Sequence, residues 1–293
     1  MRRVCVLLLV LALGLGLGAQ EFPLVVQDDR GQDILIPAPP QRIVVAGTAL
    51  YAEILVDLGA EGLIVGVADS PDLPPELGNV ERIGPWYSPS IEVVLALQPD
   101  LVLGAWGTVR DALEGAGLRV LTTGLIAGLP DLFATVRAVG RAVGRLPQAE
   151  ALIGGIAEDV IKIESEVLDL APVPAAFLYL AAPDDAPYAA GAGSIEHELL
   201  LRAGGRNVFA DVAGFPQVSL EEVIARDPKV IFTDPAQVEN FSASPLLEVV
   251  TAVREGRIYG IKASAITSTR VALALEEMAR LLHPEAFPDE VGG

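Results

Sequence analysis

Ser90-Ile-Glu-Val-Val-Leu-Ala-Leu-Gln-Pro-Asp-Leu-Val-Leu103 recurs without a gap as Ser219-Leu-Glu-Glu-Val-Ile-Ala-Arg-Asp-Pro-Lys-Val-Ile-Phe232. Ser90, Glu92, Val94, Ala96 and Pro99 pair with Ser219, Glu221, Val223, Ala225 and Pro228, and Trp86 stands ahead of the first copy where Phe215 stands ahead of the second. A chain that writes one supersecondary unit twice predicts two related lobes. Each copy reads as a short helix feeding a strand. The serine accepts a backbone N–H bond and caps the helix, and the glutamate meets the positive end of the helix dipole. Proline closes the turn, and an apolar run follows as a parallel strand covered on both faces. On this pattern alone, Glu92 and Glu221 are helix-start residues as readily as recognition residues.

With 293 residues and 52% hydrophobic content, the chain has the size and composition of two compact domains. A net charge of −19 repels phosphate backbones, which argues against nucleic-acid binding. Residues 1–19 join a basic tip (Arg2, Arg3) to an apolar stretch and a small-residue end, the pattern of a cleaved signal peptide, and the stretch is shorter than the ~20 residues a membrane span needs. Cys5, the only cysteine, lies inside it. The mature protein is therefore expected to lack thiols and disulfides. Because the cysteine precedes the apolar stretch, no lipoprotein cleavage box is expected, and the product is read as a soluble exported protein.

Downstream, Phe22 to Ile36 predicts a β-hairpin turning at Asp28-Asp-Arg-Gly31. From Arg42 to Thr122 short apolar runs alternate with helical stretches, which predicts an α/β lobe with a mainly parallel sheet over residues 20–129. Residues 130–171 show no strand pattern but carry Leu132, Val136, Val139, Val143, Ile153, Ile156, Val160, Ile163 and Val167 at helical spacing. They form either one long helix running beside both lobes or two packed helices divided near Pro147. The alternation resumes over residues 172–293, with a helix from Ser194 ending at Gly204-Gly205, strands near Ala176–Leu180, Val230–Thr233 and Ile258–Gly260, and a closing helix near Ser268–Leu282.

The chemistry-bearing repertoire is thin. There are two histidines, and no phosphate loop, nucleophile elbow or His-Glu-x-x-His is present. His197 reads as a structural residue on a helix. What stands out is aromatic residues in loops, namely Trp86, Tyr87, Trp106, Tyr188 and Phe215, in a chain only 5% aromatic. Rings at strand and helix ends suit either a cleft that stacks on a large flat ligand or caps on the core.

Pro40-Gln-Arg-Ile-Val44, Leu58-Gly59 before Val65-Gly-Val67, Pro74-Pro75, Ser90-x-Glu92 with Leu97-Gln-Pro-Asp-Leu-Val102, Gly204-Gly-Arg-Asn207 and Pro216-Gln-Val-Ser-x-Glu221 together identify a resemblance. From about Phe22 to Leu282 the chain resembles the class III periplasmic solute-binding proteins of ABC importers, which carry cobalamin, haem or iron-siderophores. The resemblance implies two Rossmann-like α/β lobes joined by a long rigid helix, with the ligand in the cleft between them. It implies no catalytic or metal site, no cofactor beyond the carried ligand, and a monomer serving a permease dimer with its ATPase subunits. It places Glu92 and Glu221 as the glutamates that dock on permease arginines.

Among the ligands, the cobalamin binders are the most similar, since their pocket tryptophans fall at Trp86 and Trp106. Tyr188 and Phe215 take the aromatic places of the second lobe. Ser70 stands where that family has a tyrosine, and Phe215 where it has a tryptophan. A haem carrier would use Tyr87, Tyr188 or His197 on iron. A siderophore carrier would need cations, for which Arg110 and Arg270 are the candidates near the cleft. Two other classes compete. One is a two-lobed metalloenzyme, which needs a cluster of cysteine or histidine ligands that the mature chain lacks, and the other is a sensor subunit that signals to a membrane receptor.

Overall fold

The computed structural model describes residues 21–70 and 72–287. The leader and Cys5 lie outside them. The chain enters through the expected hairpin, β1 (Leu24–Gln27) antiparallel to β2 (Asp33–Ile36). The turn is organised by Asp28, whose buried carboxylate accepts the backbone N–H of Arg30 (2.9 Å) and of Gln32 (2.8 Å), while Gly31 takes φ +71°.

The first lobe follows the predicted alternation: β3 (Ile43–Val45), α1 (Ala49–Asp57), β4 (Ile64–Asp69), β5 (Glu81–Pro85), α2 (Ile91–Ala96), β6 (Leu101–Leu103), α3 (Gly107–Gly115) and β7 (Val120–Leu121). All five strands are parallel, in the order β5-β4-β3-β6-β7. The direction of winding reverses between β3 and β6, so the loops leaving those two strands part there and open a crevice at their carboxyl ends. The neighbouring strands crowd at this point. A Cβ on Gly47 would lie 2.8 Å from the Gly104 carbonyl oxygen.

Residues 129–167 form two helices, α4 (Leu129–Ala142) and α5 (Leu146–Val167), not the single linking helix over 130–171. The break is at Gly144, whose φ of +73° no continuing helix allows, and Pro147 sits in the first turn of α5, where its missing N–H costs nothing. Helix α4 packs on α1 and β1 and belongs to the first lobe, so the linking role falls to α5 alone. Its 22 residues extend about 33 Å.

The second lobe comprises β8 (Val173–Tyr179), β9 (Tyr188–Ala189), α6 (Ile195–Arg202), β10 (Gly205–Asn207), α7 (Leu220–Arg226), β11 (Val230–Thr233), α8 (Val238–Ala243), α9 (Thr251–Arg254), β12 (Ile258–Gly260), α10 (Ala263–Ile266) and α11 (Val271–Leu282). Strands β10-β8-β11-β12 are parallel, with β9 antiparallel on β8. The duplication extends to backbone conformation. Ser90 and Ser219 each cap their helix by accepting the N–H three residues on, and the equivalent residues Gln98 and Asp227 both have positive φ, +48° and +40°.

Three apolar clusters result. The outer faces of the two sheets have separate cores, around Val44, Val94 and Val102 in the first lobe and Leu178, Val223 and Ile231 in the second. The inner faces share one. It runs from Ile43 and Leu103 through Val136, Ile156 and Val160 to Phe177, Phe232 and Leu275, so the buried stripe of α5 is common to both lobes.

Candidate functional site

The carboxyl ends of both sheets converge on a cavity of about 540 Å³, within the range typical of small-ligand pockets. Its walls come from the loops after β3 (Thr48), β4 (Ser70, Asp72) and β5 (Trp86) in the first lobe, and in the second from the loops after β11 (Asp234, Pro235) and β12 (Lys262) and the start of α10 (Ser264).

The three aromatic residues of the first lobe come together. Trp86 stacks on Trp106 with centroids 6.4 Å apart and planes 26° from parallel, and Tyr87 meets Trp86 edge-on at 5.8 Å. Trp106 is 53% exposed and Tyr87 64%, which is far from the burial of residues that cap a core. Tyr188 and Phe215 gather separately on the second lobe, around Tyr179. Phe215 lies 6.2 Å from the Tyr179 ring, and Tyr188 pairs with Tyr179 across β8 and β9. No ring contact joins the two groups among the described residues, and of the five only Trp86 lines the cavity wall.

Tyr179 escaped the sequence reading because it lies inside an apolar strand. Its hydroxyl donates to Glu196 (2.9 Å), a buried carboxyl whose second oxygen has no partner. Burial pushes Glu196 above the usual carboxylate range, and burial followed by the neighbouring Glu196 pushes the Tyr179 phenol up as well.

The polar wall was equally hidden, because its partners are far apart in sequence. Asp72 of the first lobe accepts from Lys262 Nζ (2.7 Å) and Ser264 Oγ (2.6 Å) of the second, and these bonds hold its carboxyl below the ordinary value. Beside this bridge, Arg270 Nη2 donates to Glu53, which burial pushes upward despite the cation. Glu198 of α6 accepts the Leu129 backbone N–H at the start of α4 (3.1 Å). These four hydrogen bonds all cross between the lobes.

Neither candidate cation for an anionic chelate is free. Arg110 is buried in a bidentate pair with Asp29, and Arg270 is taken by Glu53. His197 is held by Asn207 Nδ2 on its Nδ1 (2.9 Å), the structural role read for it. Among the described residues no group of three or more histidine, cysteine, aspartate or glutamate side chains is placed to hold a metal ion.

Glu92 and Glu221 are exposed in the first turns of α2 and α7. Neither carboxylate has a hydrogen-bond or ion-pair partner among the described residues, whereas the adjacent Glu222 is tied to Arg226 (2.6 Å).

Two α/β lobes sharing one spine helix, with a cleft at the strand ends of both, define a two-lobed solute-binding protein. The chain belongs to the periplasmic binding protein family, whose model matches residues 44–265. A Bacillus subtilis protein described as an uncharacterized ABC transporter substrate-binding lipoprotein, YvrC, is 25% identical over 278 residues, 92% of this chain and 88% of its own. A vitamin B12-binding protein of Salmonella typhimurium is 30% identical over 173 residues, and the match spans 57% of this chain and 63% of the relative. Among solved structures, an ABC-type Fe3+-hydroxamate transport system protein of Saccharomonospora viridis superposes with a TM-score of 0.74 at 28% identity, covering 92% of this chain and all of the other. The chain is thus of the ABC-transporter substrate-binding type. The word lipoprotein in the Bacillus name runs against the expectation of an unanchored product. No helix among the described residues is long and apolar enough to cross a membrane.

Proposed function

We propose that the protein binds a corrinoid of the cobalamin class in its inter-lobe cleft and delivers it to the permease of an ABC importer, acting by binding without chemistry. The observation that carries this reading is the stacked pair formed by Trp86, partly buried and lining the cavity, and the half-exposed Trp106 beside it, a platform for a large, flat and mainly apolar face. Charge supports it. The ionisable residues of the cavity wall are Asp72, Asp234 and Lys262, and the lysine is already neutralised by Asp72. A wall of this sign disfavours polyanionic ligands and accommodates a neutral or cationic one. The vitamin B12-binding name of the Salmonella relative points the same way.

Glu92 and Glu221 supply the permease contacts in this reading. They stand at equivalent positions on two lobes, exposed and uncompensated, as a two-fold partner with basic pockets requires. Charge reversal at either is expected to leave ligand affinity unchanged and to weaken association with the permease. The product is exported, works outside the cytoplasm as a monomer, and uses a permease driven by ATPase subunits.

A ferric hydroxamate is the second reading, favoured by the name of the Saccharomonospora structure. Visible absorption and calorimetric titration against cyanocobalamin, a ferric hydroxamate and haemin decides. Tight one-to-one binding of cyanocobalamin is expected. Binding of the hydroxamate alone would move the assignment to siderophores, and a Soret shift with haemin alone would move it to haem and to Tyr87 and Tyr188 as ligands.

A further inference from the structure

Trp106 occupies a loop that does little to hold it in place. It leaves β6 at Gly104 (φ +77°) and enters α3 at Gly107 (φ +55°), so glycines in the left-handed region flank it on both sides. The residue is 53% exposed, and among the described residues its one ring contact is with Trp86. A mobile tryptophan would lose entropy on stacking, so a loop of this kind binds well only if something outside it fixes the backbone.

Something does. The Ala105 carbonyl, part of the peptide bond that leads into Trp106, accepts two bonds from beyond the loop: Arg110 Nε at 3.0 Å and the Thr122 hydroxyl. Arg110 is 5% exposed, and its remaining nitrogens reach out of the lobe's sheet to the entry hairpin. Nη1 and Nη2 hold the two oxygens of Asp29 at 2.6 and 3.1 Å, with the Asp28 carboxylate 3.7 Å from Nη1. The hairpin is itself fixed to β7, because the Asp29 N–H donates to the Thr122 carbonyl at 2.9 Å. The guanidinium therefore links three separate segments at the peptide before the tryptophan. Burying such a pair is weakly stabilising at best, whereas its planar fork fixes geometry in a way a packed apolar residue does not.

We propose that Arg110, held by Asp29, is a positioning residue for Trp106, and that the amino-terminal hairpin thereby sets the geometry of the ligand-stacking platform. The inference rests on Trp106 contacting the ligand, as read above.

Trp86 and Trp106 are the only tryptophans in the chain, so a tryptophan–tryptophan exciton couplet in the far-ultraviolet circular dichroism arises from this pair alone, and tryptophan fluorescence reports on these two rings. In Arg110→Gln the couplet of the ligand-free protein is expected to collapse while thermal unfolding stays cooperative. Cyanocobalamin affinity should fall about tenfold, within the range of couplings between residues in contact. The same substitution in a Trp106→Ala background should change affinity by less than about twofold, because the residue through which Arg110 acts is gone. An unchanged couplet overturns the proposal, and so does an equal tenfold loss in the Trp106→Ala background. If Arg110→Gln does not fold, Asp29→Asn, which removes the clamping charge from a partly exposed residue, is read by the same measurements and the same criteria. Should Trp106→Ala alone leave affinity untouched, the ligand reading fails by itself, and the couplet still decides whether Arg110 positions the ring.

Discussion

At the scale of single residues, the site separates side chains proposed to touch a ligand from those that answer to pH. Trp86 and Trp106 are the first kind. Truncating either to alanine removes one plane of a two-ring platform and should weaken corrinoid binding by about 1–3 kcal/mol, the loss seen for well-placed aromatic anchors. Calorimetry checks it, and unchanged affinity in both variants would discard the platform. Asp72 and Glu53 are the second kind, with opposite signs. Bonds from Lys262 and Ser264 depress Asp72 below its ordinary 3.8, so its contribution to stability is present above that value and is lost as pH falls through the depressed one. Burial raises Glu53 above 4.5, so its carboxylate form is the disfavoured one, and stability declines as pH rises through the raised value. The melting temperature of Asp72→Asn should therefore trail the wild type at neutral pH and converge with it in acid. For Glu53→Gln the difference from wild type should shift in the variant's favour as pH rises. Residues of the first kind were legible in the sequence, since exposed rings in loops stand out where aromatics are scarce. The second kind was not, because Asp72 and Lys262 are 190 residues apart in sequence, and no local pattern encodes their meeting.

At the scale of elements, legibility followed the strength of the local signal. The two Ser-x-Glu helices and the strands behind them were read with their caps and boundaries because Ser90 and Ser219 use a bond that is local in sequence. Two parallel edge strands were missed for identifiable reasons. In β5, Glu81 and Arg82 are exposed and only Ile83 is buried, which leaves no apolar run to see. In β10, Gly205 continues a turn whose Gly204 has φ +80°, and Gly204-Gly205 reads as a helix terminator because it is one, with the strand beginning inside it. The spine was ambiguous for a related reason. Helical periodicity crosses Val143 without interruption, and only the backbone at Gly144 breaks it. Glycine also governs the crossing of β3 and β6. A Cβ on Gly104 would lie 2.6 Å from the buried Tyr51 ring and 2.9 Å from the Gly47 Cα, at a φ of +77°. Gly104→Ala should thus cost about 1–3 kcal/mol of stability from overpacking. Because Tyr51 also holds Thr123 through its hydroxyl (2.9 Å), the displaced ring should loosen the loop after β7. Chemical denaturation measures the first effect, and an unchanged midpoint would mean that the strands separate at no cost.

At the scale of the molecule, the question is how far the lobes can move. Domains joined by a flexible linker, each with its own core, swing through large angles when a ligand enters, but these lobes do not have separate inner cores. Ile156, Val160 and Ile163 of α5 are buried in the same cluster as Ile43 and Leu103 of one sheet and Phe177 and Phe232 of the other. A wide hinge would expose apolar surface from that shared core at roughly 25 cal/mol for each Å². The polar contacts Asp72–Lys262, Glu53–Arg270 and Glu198–Leu129 bridge the lobes as well, so a wide hinge would also have to break them. Ligand entry is expected to adjust the cleft by local exchange, with Asp72 and Lys262 yielding their bond to polar groups on the rim of the bound molecule. Small-angle X-ray scattering of the free and loaded protein should give superimposable curves and the same radius of gyration within error, as for pre-organised partners that bind with little backbone movement. Asp72→Ala should speed ligand association and leave the free radius unchanged within error, since the shared core still holds the lobes when the bridge is gone. A contraction on loading beyond experimental error would show instead that the lobes rotate as independent bodies, with α5 bending between them.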